Sequence, residues 1–163
     1  KKGVGYYVTE LQESIGSILG LDRHWNIAIV GMGHLGAALA NYQGIAQLGF
    51  RLAAIFDVNP ALIGTRIGER CVEDIACLAE IVAERDVQIG VIAVPAEHAQ
   101  SVVDQLVAAG IRGIWNFAPV KLQVPPSVAF VREDLSVGLS SLSYYLTHID
   151  ANTGANTEKN AGK

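Results

Sequence analysis

The sequence predicts an α/β fold in which a parallel sheet carries helices on both faces, and three observations predict it. Nearly continuous apolar runs at residues 25–30 (WNIAIV), 51–56 (RLAAIF), 88–94 (QIGVIAV) and 111–117 (IRGIWNF) have the length and character of strands buried on both faces. Stretches with apolar residues at helical spacing lie between them, so strand and helix alternate. A G-x-G-x-x-G pattern (Gly31, Gly33, Gly36) follows the first of these strands directly and opens a helix. Together they describe a Rossmann-like, doubly wound parallel sheet with right-handed crossovers.

The elements follow in order. Residues 1–7 (KKGVGYY) are basic, glycine-rich and aromatic, and read as the remnant of a removed segment. Thr9 is placed to cap a helix, with Gln12 at the capping-box position and Val8, Leu11, Ile15, Ile18 and Leu19 at helical spacing up to Gly20. This linking helix is too short to be stable without a surface to cover. After the first strand, residues 35–47 read as one helix, and Asp57 ends the second strand before an Asn59-Pro60 loop. Residues 73–84 read as an amphipathic helix with Ile75, Leu78, Ala79 and Val82 on one side. Pro95 stops the third strand, and residues 96–109 form a helix with Ala99, Val102, Val103, Leu106 and Val107 as its stripe. A proline-bearing loop, 119–126, precedes a short last strand at 128–131. These elements make one domain, 8–133, followed by a helix at 134–150 and a polar tail, 151–163, expected to be mobile.

Composition narrows the function. Half of the 163 residues are apolar and 17% are charged, enough for a full core and unlike a disordered chain. A formal charge of −4 argues against this chain itself presenting a nucleic-acid surface. No apolar run reaches a membrane span and no secretory signal opens the chain, so the cytoplasm is the expected compartment. Cys71 and Cys77, six residues apart, suit no common zinc site and read as buried or partly buried thiols, so no metal is expected.

The glycine motif has a mechanism in this context. Gly31 permits a tight turn, Gly33 lets backbone approach a diphosphate, and Gly36 lets helix and strand pack closely. Met32, His34 and Leu35 share the turn, and its helix start favours anions. Asp57, 21 residues beyond Gly36, is placed to accept hydrogen bonds from an adenosine ribose and to repel the extra phosphate of NADP. NAD(H) is therefore the favoured ligand. A glycine turn without ligand, or one holding coenzyme A, stays open. Ligands of such sheets lie at the carboxyl ends of the strands, which brings in Val58, Val94-Pro95-Ala96 and Asn116-Phe117-Ala118-Pro119.

A dehydrogenase needs a proton donor or acceptor and a place for substrate. His34 lies inside the phosphate turn, and His98 reads as a pocket-edge or solvent-facing residue rather than a base. His24 and His148 flank the core as surface groups. After the last strand only a helix and tail remain, leaving no substrate domain. The chain reads as a binder with no catalytic residues.

The segments GVGY (3–6), GMGHLGAALANYQG (31–44), FDVNPALIG (56–64), AVPAEHAQ (93–100), AAGIRGIWNFAPVKLQVP (108–125) and REDLSVGLSSLSYYL (132–146) together are far more specific than the glycine motif. Through them the chain resembles the cofactor-binding half of the redox-sensing transcriptional repressors of the Rex family, from Gly3 to about Leu146. The resemblance implies a homodimer that binds operator DNA through an N-terminal winged-helix domain, of which GVGY looks like the end. It implies NADH and NAD⁺ as sensed ligands, NADH releasing the DNA. It places Gly31, Gly33 and Gly36 at the pyrophosphate, Asp57 at the ribose, and Val94, Pro95, Asn116 and Phe117 by the nicotinamide. It implies that Asp134 and Leu135 are inserted near the nicotinamide of the partner subunit, and that Tyr42 couples that approach. Some members carry an aromatic residue where this chain has Leu135.

Spacing supports a dimer separately: Leu135, Leu139, Leu142, Leu146 and Ile149 recur at four- and three-residue steps, an apolar seam suited to a twin subunit or a swapped helix. Packing onto the chain's own sheet is the alternative. Two other readings of the whole compete, an NAD-dependent oxidoreductase domain and a CoA-binding domain of a ligase.

Overall fold

The computed structural model describes residues 24–160, with side chains for 24–149. The expected linking helix and the segment before it lie outside the described residues. The elements are β1 (Trp25–Val30), α1 (His34–Ala40), α2 (Gln43–Gln47), β2 (Phe50–Asp57), β3 (Arg66–Ile67), β4 (Arg70–Asp74), a 3-10 turn (Ile75–Cys77), α3 (Leu78–Glu84), β5 (Ile89–Ile92), α4 (Ala96–Ala108), β6 (Gly113–Asn116), β7 (Ala129–Arg132) and α5 (Ser136–Asn160). The sheet has seven strands in the order β3-β4-β2-β1-β5-β6-β7, all parallel except the β3–β4 pair.

Alternation along the central strands builds two cores. Ile27 and Ile29 of β1, Ile55 of β2 and Val91 of β5 face one side, where Ala37, Leu39 and Ile45 of α1 and α2 pack. Ala28 and Val30 of β1, with Ala54 and Phe56 of β2, face the other, against Leu78 and Val82 of α3 and Val102, Val103 and Leu106 of α4. Each fully buried branched or aromatic side chain contributes roughly 1.5–3 kcal/mol. The doubly wound sheet expected from sequence is thus the fold found.

Three local expectations are corrected. The helix expected over 35–47 is broken: Asn41 Nδ2 donates to Ala37 O at 2.8 Å, and Tyr42 is extended (φ −79°, ψ 106°) before α2 begins. An Asn side chain that takes a helical carbonyl competes with the next turn. The helix expected to start at residue 73 starts at Leu78, because residues 70–74 add a strand whose Val72 is buried against Ile55. Asp74 then accepts from Ala76 N at 2.9 Å and caps the 3-10 turn. Both thiols are exposed rather than buried, Cys71 because it alternates with the inward Val72.

The chain divides into this sheet unit and a second unit from Glu133 onward. In the second unit Asp134 Oδ1 accepts from Ser136 N at 3.0 Å at the start of α5. The helix continues to Asn160, ten residues beyond the expected end and through most of the expected tail. No proline interrupts that stretch, and Gly154 lowers helix propensity there by only about 1 kcal/mol.

Candidate nucleotide-binding site

The strand order reverses beside β1: the chain runs outward through β2 and β4, then returns to place β5 on the other side. The crevice at the carboxyl ends of β1 and β5 is the switch point of such a sheet. Gly31 N donates to Phe56 O and Ala93 N to Val30 O, both at 2.9 Å, so the loops after β1, β2 and β5 are joined by main chain.

The glycines are required there by space. Gly31 has φ +97°, and a Cβ on it would lie 2.7 Å from Val94 Cγ1. A Cβ on Gly36 would overlap the Gly31 carbonyl, so this position sets how closely α1 approaches the turn. At Gly33 a Cβ would meet nothing within 4 Å, so the turn faces open space. No side chain caps the start of α1, leaving the amides of its first turn without an internal acceptor.

Asp57 reaches the same turn. Its Oδ2 accepts from Met32 N at 2.6 Å and its Oδ1 from Asn59 N at 2.8 Å. One carboxylate thereby joins the end of β2 to the glycine turn and keeps lone pairs for a further donor. Beyond it, Asp57, Val58, Val94, Pro95, His98 and Ser101 line a cleft of about 250 Å³, with Val102 and Gln105 below.

The expected residues are therefore distributed unevenly. Gly31, Met32, Gly33, His34, Leu35, Gly36, Asp57, Val58, Val94, Pro95 and Ala96 come together around this crevice. Met32 is buried beneath it, whereas His34 and Val58 are exposed. Asn116, at the end of β6, is fully buried, and its amide both donates to Ala118 O and accepts from Ala118 N, each at 3.0 Å. Its side chain thus fixes the turn that carries Phe117 and Ala118. Tyr42 stands exposed at the α1–α2 break, its ring over Gly44. Ser101 and Gln105 were missed. They lie three and seven residues after His98 on α4, a helical spacing that would have flagged them.

The crevice fits a dinucleotide: an open glycine turn, uncapped amides, a carboxylate beside them and a mostly apolar cleft. Among the described residues no group of three or more His, Cys, Asp or Glu side chains is placed to hold a metal ion. Among those residues, too, no helix is long and apolar enough to cross a membrane.

A family model described as "CoA binding domain" matches residues 22–120, from the approach to β1 to the loop after β6. The chain is 45% identical to the redox-sensing transcriptional repressor Rex of Clostridium perfringens over 92% of this chain and 71% of that protein. Two solved structures of RSP, a Rex-family repressor, superpose on it. The complex with β-NADH does so with a TM-score of 0.86 and 40% identity, covering 94% of this chain and 74% of that one. The complex with β-NAD⁺ and operator DNA gives 0.85 and 39%, covering 97% and 73%. The chain belongs to the CoA-binding-domain family and, within it, to the Rex redox-sensing transcriptional repressors.

Proposed function

We propose that this chain is the NADH- and NAD⁺-sensing part of a redox-responsive repressor. The observation that carries the reading is the bond from Met32 N to Asp57 Oδ2, which unites turn and acid in one crevice at the switch point. On this reading the turn from Gly31 to Gly36, with Met32, His34 and Leu35, holds the diphosphate, and Asp57 and Val58 hold the adenosine ribose. His98, Ser101 and Gln105, on the α4 side of the 250 Å³ cleft, border the adenine. Val94, Pro95, Ala96, Asn116, Phe117 and Ala118 border the nicotinamide, whose ring carries a positive charge only when oxidised. Apolar walls there disfavour the cation and so favour NADH.

The proposal extends to assembly. Leu135, Leu139, Leu142 and Leu146 form the seam of a homodimer. A wholly apolar groove of about 410 Å³, lined by residues including Tyr42, Ile45, Trp115 and Val131, offers a complementary surface. Asp134 and Leu135 of one copy approach the nicotinamide of the other, with Tyr42 coupling the two. NADH then shifts the dimer only as far as it binds one arrangement better than the other. Operator DNA is held by chain outside these 163 residues, consistent with their net charge of −4, and the protein works in the cytoplasm.

The chain binds rather than catalyses: with NADH or NAD⁺ present, assays across alcohols, aldehydes and hydroxy acids should show no turnover. Titration calorimetry tests the main claim. NADH should bind more tightly than NAD⁺, and NADPH more weakly than NADH; equal affinities for the two oxidation states would remove the basis for sensing.

A further inference from the structure

We propose that the amino ends of β1, β2 and β4 form a second binding site, for a small phosphate-bearing anion, at the end of the sheet away from the glycine turn. Asn26, Arg51, Ala53, Arg70 and Arg85 line a cleft of about 240 Å³ there. Asn26 and Arg51 are in-register neighbours on β1 and β2, and Arg70 opens β4.

Two of the three guanidinium groups are held by backbone. Arg70 Nε donates to Leu52 O at 3.1 Å, and Arg85 Nη1 to Ala53 O at 2.9 Å. Asn26 Nδ2 donates to Arg85 O and Asp86 O at 2.9 and 3.1 Å, fixing the turn that presents Arg85. Arg70 and Arg85 are thus ordered before a ligand enters, and Arg51 is the side chain left to close on it.

The charges in the cleft do not balance. Arg85 pairs with Glu73, Nη2 to Oε1 at 2.6 Å. Neither Arg51 nor Arg70 has a carboxylate within ion-pair distance among the described residues, and the Arg51 guanidinium makes no hydrogen bond with them. Three arginines thus line the cleft, and among the described residues one ion pair, Arg85 to Glu73, offsets their charge, so an anion entering the cleft is favoured. Planar forks with several N–H donors match a tetrahedral oxyanion, whose oxygens can bridge two of them. The cleft has room for a phosphoryl group and a small substituent. Its size and the chain's net charge of −4 favour a free phosphate or phosphomonoester over a nucleic-acid backbone.

The test titrates inorganic phosphate into the ¹⁵N-labelled chain and follows the arginine Nε–Hε resonances. Arg51 and Arg70 should shift together with a single dissociation constant. Arg51→Gln, at an exposed side chain that makes no bond holding the fold, should weaken binding about tenfold. Arg66→Gln, outside the cleft, should leave the titration unchanged. Phosphate that moves neither resonance, or that binds Arg51→Gln as well as the parent, overturns the proposal. A non-operator DNA duplex that moves both resonances when phosphate does not would overturn it in favour of a nucleic-acid surface. The outcome is independent of whether NADH binds at the other end of the sheet.

Discussion

In the sheet unit Phe56, Ile29, Ile55 and Leu106 are fully buried, whereas in α5 Leu139 is 70% exposed and Leu142, Leu146 and Ile149 are each more than half exposed. Both regions are rich in apolar residues. The strands present theirs to two faces already lined by helices of the same unit. Among the described residues of its unit, no second element receives the apolar seam of the helix. The difference separates two uses of the same residue types: one region encodes its own stability, and the other carries the seam on which the proposed dimer rests.

Substitutions sharpen that contrast, beginning with the largest effect. Phe56→Ala removes a ring from the centre of the sheet and should lower unfolding stability by about 3–5 kcal/mol in urea titration. The paired change Leu139→Ser with Leu142→Ser should weaken dimer association by about 2–4 kcal/mol, seen as a monomer in sedimentation with unchanged circular dichroism from the sheet. If that variant instead unfolded like Phe56→Ala, the helix would be part of the core and the contrast would fail. Asp57→Asn should cost NADH binding about 1.5–3 kcal/mol by calorimetry, since a charged acceptor for the ribose is lost while the fold persists. Asp74→Ala, which removes the cap on Ala76 N, should cost about 1 kcal/mol of thermal stability and leave NADH affinity unaltered.

The legible parts of the sequence were those in which one period or motif dominates. β1 was read to the residue, α4 to within one residue of its end, and the glycine turn with its acid reached its place because strand, turn and helix are contiguous in the chain. The break at Asn41–Tyr42 was hidden, since apolar spacing runs through it and the interruption comes from a side-chain hydrogen bond. The β3–β4 hairpin was hidden for another reason. Only Val72 of its core strand is buried, so two residues of alternation could not outweigh the helical pattern that follows. The structural part played by Asn116 was hidden by its position: a polar residue at a strand end suggests a ligand contact, and nothing in the sequence shows that its amide also bonds Ala118 through both of its polar atoms. The arginine cleft was invisible because Arg51, Arg70 and Arg85 are far apart in sequence and are brought together only by strand order.

A crystal structure of the chain grown with NADH tests the central claim most directly. The account predicts the diphosphate against the backbone of residues 31–36, with the adenosine ribose hydroxyls on the Asp57 carboxylate. A nucleotide seated elsewhere, or a crevice closed by side chains at saturating NADH, would contradict it.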